Sequence, residues 1–406
     1  MEKGLLSKYF KGIVAKKLSE VEVDPRISNQ HEFNGINEFK SILGSEKSIY
    51  EGVFVYLTDN EEDTLKEVGS LTWYNARENH PTRNEFRLYY STTQIMEKAN
   101  AGDFLLIGLT HDNKLAVLIA PRGTTAEQQL LWLFEIKEIG NKFIFRDISS
   151  NDTKLNFAGK YILNSVGFEI DEAEPDFLDL ILKTFGNQFP STAVFSDFAR
   201  STINNVSPIE EPDKTLIAWL EREEMLFKTL EKHIVSKKLE QGFGENKVDV
   251  DDFISFSLSV QNRRKSRAGF AFENHLESIF KSQKISFSKG AKTERNNKPD
   301  FLFPSIINYH KPDFPVELLT MLGVKTTAKD RWRQVLSEAD RISQKHLITL
   351  EPAISLNQTD EMFAQNLQLV IPQSLKETFT ASQQLNLLSL QDFLYVVRQR
   401  QTKFIK

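Results

Sequence analysis

Two residues in the last third of this chain have the types and positions that metal-assisted hydrolysis needs. Asp300 follows Pro299 and heads the apolar run Phe301-Leu-Phe303, and Lys325 closes the run Leu322-Gly-Val-Lys325. An acid and a lysine at the ends of adjacent strands form the skeleton of a Mg²⁺-dependent phosphodiester site. Carboxylates hold the hard cation, and the lysine positions the attacking water and neutralises the phosphate. The signal has competitors, because Pro-Asp also begins at positions 175, 212 and 312. In the commonest form of such a site an acid lies two residues before the lysine, and here that position is Gly323. Glu338, on a stretch that reads as helix from 330 to 343, can return a carboxylate to the strand ends instead. Glu273 offers a further carboxylate. Its alternative is an exposed helix glutamate paired with Lys or Arg.

The neighbourhood suits an anion. Between Gln261 and Lys298 stand ten Lys or Arg (263, 264, 265, 267, 281, 284, 289, 292, 295, 298) against three acids (273, 277, 294). The chain as a whole carries 51 basic and 56 acidic side chains, a net −5, so a polyanion has to be met by a local patch of this kind. A solvated helix face is the plainer reading of such a run.

These residues need elements to hold them. From 37 to 170 short β-prone runs alternate with polar turns: Gly52 to Leu57, Phe104 to Leu109, Leu115 to Ala120 and Lys142 to Arg146. Helices are expected at Thr92 to Ala99 and Thr125 to Phe134, the second opened by a capping box, Thr124-x-x-Glu127. Residues 187 to 213, with Pro190, Pro208 and Pro212, read as a linker holding a short helix. After it comes an α/β order: helix from Leu216 to Leu239, helix 267–283, strands near 300 and 320, helix 330–343, strands near 347 and 368, and a helix from Leu390. The expected division is 1–175 as an N-terminal DNA-binding or regulatory domain, 176–212 as a linker region with a short helix and 213–406 as catalytic domain.

The strings Ser259-Val-Gln-Asn-Arg-Arg-Lys-Ser-Arg-Ala-Gly269, Asn297-Lys-Pro-Asp-Phe-Leu-Phe-Pro-Ser305, Phe314-Pro-Val-Glu317 and Val324-Lys-Thr-Thr-Ala-Lys-Asp-Arg-Trp-Arg-Gln334 with Glu338-Ala-Asp340 resemble the catalytic domain of the EcoRII-type restriction endonucleases, from about Phe189 onward. The resemblance implies an α/β restriction-endonuclease-like catalytic domain of the PD-(D/E)XK type, preceded by a mixed, β-rich N-terminal domain. It implies that the second acid has moved to the following helix, and it places catalysis on Glu273, Asp300, Lys325 and Glu338, with the metal on Asp300, Glu338 and Glu273. It implies Mg²⁺ as cofactor and double-stranded DNA with a CC(A/T)GG-related site as substrate. The triplet Lys329-Asp330-Arg331 would read the outer bases. Lys and Arg donate to guanine O6 and N7, and Asp accepts from cytosine N4. Arg263, Arg264, Lys265 and Arg267 would meet the DNA backbone. Trp219 and Arg222 are candidates for a pocket holding a flipped base, with a core tryptophan on an amphipathic helix as the competing reading. A homodimer and a cognate DNA methyltransferase are the implied partners.

The first half does not visibly repeat the family's N-terminal domain. Asp24 to Gly35 and Thr82 to Ser91, the latter with Arg83 and Arg87, mix amides, arginines and aromatics that suit DNA contacts, and polar loops beside a half-buried strand read equally well. His31 has no nearby second ligand and is a poor metal candidate. Two rivals stay open: a modification-dependent endonuclease whose N-terminal domain senses modified DNA, and a DNA-binding protein without catalysis. There is no cysteine, which excludes disulfides, thiolate zinc sites and cysteine nucleophiles. Lysines interrupt the first 18 residues and no apolar run approaches a membrane span, so a soluble intracellular protein without a membrane partner is expected, and the resemblance implies a prokaryotic, cytoplasmic one.

Overall fold

The computed structural model describes residues 5–24, 26–27, 31–34, 36–60, 63–148, 155–170, 174–244 and 247–405. Part of the stretch from Asp24 to Gly35 lies outside them. The chain forms two compact units: Met1–Ile170 with Pro352–Thr359, and Asp171–Glu351 with Asp360–Lys406.

The first unit is built on eight strands, β1 (Phe10–Lys17), β2 (Glu32–Phe33), β3 (Ser48–Tyr56), β4 (Leu65–Asn75), β5 (Phe86–Tyr90), β6 (Phe104–Thr110), β7 (Leu115–Ala120) and β8 (Ile144–Asp147). They lie in the order β2-β5-β4-β3-β7-β6-β1-β8. Only β3 and β7 pair in parallel. The runs at β6 and β7 are apolar throughout because both faces of the sheet are covered. Leu105, Ile107 and Leu109 enter one core with Val117 and Ile119. Phe104 and Leu106 enter the other with Leu118, Leu130, Leu133 and Ile162. The last three come from the helices Thr125–Leu133 and Phe157–Ser165.

The capping box expected at Thr124 is only half made. Thr124 Oγ1 accepts from the Glu127 amide at 3.3 Å, but the Glu127 carboxylate takes the Gly123 amide and pairs with Lys17. The segment Pro352–Thr359 joins this unit through bonds from Gln129 Nε2 to the Pro352 carbonyl (3.1 Å) and from the Ser355 amide to Thr125 Oγ1 (3.1 Å).

The second unit sets a five-stranded sheet beside long helices. Its strands are β9 (Ser288–Lys289), β10 (Phe301–Phe303), β11 (Thr320–Lys325), β12 (Lys345–Thr349) and β13 (Leu367–Val370), in the order β13-β12-β11-β10-β9. The pairs β9/β10 and β10/β11 are antiparallel, and β11/β12/β13 are parallel. The strands expected near 300, 320, 347 and 368 and the helix from Leu390 are all found here.

Three expectations for this half are corrected. Residues 176–212 are not a linker, because the helices Leu178–Phe185 and Thr192–Ser201 bring Ile181, Phe195 and Ala199 into one core with Leu226, Phe227 and Leu230 of the helix Pro212–Gln241. The prolines bound helices, and Pro212 occupies the first turn of the long one, where a missing amide costs nothing. The helix expected from 267 begins at Val250, capped by Asp249 accepting from the Asp252 amide. The helix expected over 330–343 is a single short one, Trp332–Leu336.

Between the two long helices lies a buried polar cluster. Arg267 pairs with Glu223 (3.5 Å) and Glu224 and stacks on Phe227, 4.2 Å from its ring centre. His275 stands 3.0 Å from Glu223, and its Nδ1 accepts from Arg200 at 2.9 Å. Burial pushes the His275 imidazole below its ordinary pKa. Removing one partner of such a pair strands the other charge. Arg267→Ala should therefore destabilise the second unit by about 3–5 kcal/mol in urea unfolding, and a loss under about 1 kcal/mol would mean that water reaches Glu223.

Candidate active site

The site begins with the hydrogen bond that ties β10 to β11. Asp300 immediately precedes β10, and its Oδ2 accepts from the Val324 amide at 2.6 Å and lies 3.4 Å from Lys325 Nζ. The antiparallel register pairs Phe301 with Leu322, which brings the head of one strand to the tail of the other. Both side chains are half-buried. The three other Pro-Asp dipeptides stand in different surroundings. Asp213 is buried and accepts from the amides of Gln373, Leu390 and Gln391 at 2.9 Å each, while Asp176 and Asp313 are exposed.

Gly323 shows why no acid stands two residues before the lysine. A Cβ at this position would meet the Val335 methyls at 2.9 and 3.0 Å, and Val335 is fully buried. The helix Trp332–Leu336 thus packs onto β11 where the usual carboxylate would sit. Glu338, expected to replace that charge, lies in the turn just after that helix rather than on it. Burial and the nearby Asp300 push the Glu338 carboxyl up to about 7, against the pull of Lys325 and Lys345. Its Oε2 is buried without a hydrogen-bond partner.

Glu273 lies on the helix Val250–Ser282. Burial and Asp300 raise its pKa as well, while Lys289 and Lys325 oppose the shift. Asp300 and Lys325 therefore act on both glutamates, and the structure brings the four expected residues into one electrostatic neighbourhood. Lys289 was counted in the basic run but not assigned to these acids. Its Nζ is 3.0 Å from Glu277 and 3.6 Å from Glu273. It sits on a strand of two residues, too short for any periodic signal.

Among the described residues no three acids or histidines form a ready-made cation cage. The donor set nevertheless fits a hard cation that keeps most of its water and takes one or two carboxylates. Three carboxylate side chains share this neighbourhood, and one Glu338 oxygen lacks a partner.

The triplet is presented outward: Asp330 and Arg331 are exposed and Lys329 is half-buried. The basic run is not uniform. Lys265 is exposed, Arg263 lies 4.2 Å over the Phe189 ring, and Arg264 pairs with the buried Glu231 at 2.6 Å. Arg267, expected at the DNA backbone, is instead buried in the ion cluster. Trp219 is also buried, its ring against His275 and beneath the Arg200 guanidinium, and Arg222 covers Phe177. The aromatic plane expected for a flipped base is taken by the chain itself. In the first unit Arg83 is exposed, whereas Arg87 is held by Glu85 (2.6 Å) and Glu32 (2.9 Å).

Comparison with known proteins gives the family. Residues 227–394 match the family model described as EcoRII C terminal. The type II restriction enzyme EcoRII of Escherichia coli is 32% identical over 353 residues, covering 84% of this chain and 82% of that one. Two solved structures are more distant. Metal-depleted Ecl18kI with uncleaved, modified DNA has 20% identity, covering 58% of this chain and 87% of that one, at a TM-score of 0.47. The PspGI–substrate DNA complex has 16% identity, covering 53% and 94%, at a TM-score of 0.43. The protein is a restriction endonuclease, a site-specific DNA nuclease. It belongs to the family of the type II restriction enzyme EcoRII. The similarity reaches well beyond the part from Phe189 onward, since 84% of the chain includes much of the first unit.

The raised carboxyl of Glu338 makes stability depend on pH. Below the unfolded value of 4.5 the group is protonated whether the chain is folded or not. As pH rises from there through about 7 the folded chain must take on a buried charge that Lys325 and Lys345 offset only in part, so stability falls across that window. In metal-free protein Glu338→Gln should therefore be more stable than the parent at pH 8, by on the order of 2 kcal/mol, with the difference gone at pH 4.5. Thermal melts in chelator at the two pH values check this, and an equal offset at both would contradict it.

Proposed function

We propose that this chain cuts double-stranded DNA at a short, CC(A/T)GG-related site by Mg²⁺-dependent hydrolysis, on a catalytic unit of the PD-(D/E)XK type. The observation that carries the reading is the convergence of Asp300, Lys325, Glu273 and Glu338 at the ends of β10 and β11. Asp300 and Glu338 would hold the cation, with Glu273 as a further ligand. A bound Mg²⁺ would supply positive charge that sharpens a water nucleophile and stabilises the phosphate in its transition state.

The protein's own groups do the rest. Lys325 extends beside Asp300, where its ammonium can donate to an attacking water and to a phosphate oxygen. The half-buried setting strengthens that interaction relative to bulk water. The hydrogen bond from the Val324 amide fixes the Asp300 carboxylate without consuming both of its oxygens. Glu338 completes the charge that Gly323 cannot carry.

The triplet gives the specificity. Arg331 and Lys329 suit guanine edges, and Asp330 suits the cytosine amino group. Two copies acting on the two strands of a near-palindromic site would make a homodimer, in a system that includes a DNA methyltransferase protecting the host's own sites. The non-catalytic rival loses its ground, since the residues needed for hydrolysis stand together and the family is one of enzymes.

Asp300→Ala and Lys325→Ala should each abolish plasmid cleavage while sequence-dependent binding persists, because the groove contacts lie elsewhere. Cleavage within about tenfold of the parent, a difference of only about 1.4 kcal/mol in barrier, would show that the site is misplaced.

Lys329→Ala and Arg331→Ala should lose discrimination at particular base pairs, at roughly 1–3 kcal/mol for each lost bidentate contact. Cleavage kinetics on duplexes altered at one pair at a time measure this. A uniform loss on every duplex would make the two residues phosphate contacts.

A further inference from the structure

The loop that carries the triplet is gripped from behind by a residue outside both the catalytic set and the reading set. Glu351 lies just past β12 and is 1% exposed. Its Oε2 accepts from two successive backbone amides, Ala328 at 2.6 Å and Lys329 at 3.1 Å. Thr349, at the end of β12, adds two bonds: its Oγ1 donates to the Thr326 carbonyl (3.4 Å) and accepts from the Glu351 amide (3.2 Å).

This arrangement has a cost that calls for a return. Taking a carboxylate out of water is expensive, and here bonds from backbone amides help to offset it. The carboxylate also fixes a conformation that the chain disfavours, since Lys329 has φ +31°, left-handed for a residue with a side chain. On either side the backbone is anchored. Ala328 is fully buried, and Trp332 is buried with its amide bonded to the Ala328 carbonyl at 3.2 Å. Lys329, Asp330 and Arg331 are the outward arc between these two anchors.

We infer that Glu351 is the positioning residue for base recognition, holding the Ala328–Lys329 turn so that the 329–331 side chains reach the groove at a fixed angle. The inference rests on the proposed reading role of the triplet. It assigns no chemical step to Glu351, which lies behind the loop and faces the core. Because bidentate base contacts tolerate little displacement, loosening this grip acts on discrimination before it acts on hydrolysis.

The test compares Glu351→Gln and Glu351→Asp with the parent, using full-length protein, Mg²⁺, the best-cleaved duplex and a panel altered at one base pair each. Gln keeps one acceptor oxygen without the charge, and Asp keeps the charge on a shorter arm. The expected result is a loss of at least tenfold in the ratio of kcat/KM between the best duplex and those altered at outer pairs. The single-turnover rate on the bound best duplex should stay within about threefold of the parent. Discrimination unchanged within twofold overturns the inference, as does an equal fall on every duplex. Failure of both variants to fold, read from thermal melts, would assign Glu351 to folding alone and overturn it too. Lys329→Ala and Arg331→Ala on the same panel separate the two readings. If they change discrimination and the Glu351 variants do not, the positioning role fails alone; if none does, the reading role of the triplet fails with it.

Discussion

Everything in the second unit is arranged around one short contact, the Asp300 carboxylate accepting the Val324 amide across β10 and β11. That bond does three things at once. It fixes the carboxylate, it continues the pairing of two strands that meet over only three residues, and it places Lys325, the next residue along β11, beside the acid. A carboxylate held by an amide keeps its second oxygen for other work. The neighbouring glutamates feel its charge, which is part of why Glu273 and Glu338 resist ionisation.

The accumulation of like charge would be unfavourable in an isolated protein, and the rest of the unit is built to contain it. Lys325 and Lys289 stand against the acids from β11 and β9. Lys345, partly desolvated, bears on Glu338 from β12. The balance is incomplete, with one Glu338 oxygen left bare. Such a deficit marks sites whose full stability waits for a ligand, since anything bound only by the folded form adds its own free energy to folding. The helical half balances its charges differently: Glu223 pairs with both Arg267 and His275 inside the bundle.

Much of the site was legible because its residues head or end apolar runs. Phe301 to Phe303 and Leu322 to Val324 read as buried strands, and the charged residues flanking them stand out by contrast. That no acid stands two residues before Lys325 was visible at Gly323, although the approach of Val335 to that position was not. What stayed hidden depends on long-range pairing. Arg267 belongs by sequence to a basic run, and only its packing against Glu223, 44 residues earlier, shows it as an interior ion. Trp219 reads equally as core or as platform until His275 and Arg200 are seen against it. The helix from Val250 escaped because Phe253, Ile254 and Leu258 are exposed, so its apolar residues mark no buried stripe. The linker expectation failed since prolines punctuate helices as readily as loops.

Both sheets end in short strands. The eight-stranded sheet stops at β2, two residues, and β8, four; the five-stranded sheet stops at β9, two, and β13, four. An open edge is a template on which a foreign strand can grow, and so few free amides and carbonyls offer little to copy. The end strands themselves thus give little purchase to lateral extension into fibrils or a continuous sheet between molecules. Crowding many copies along one polymer brings few end-strand amides and carbonyls within reach of one another.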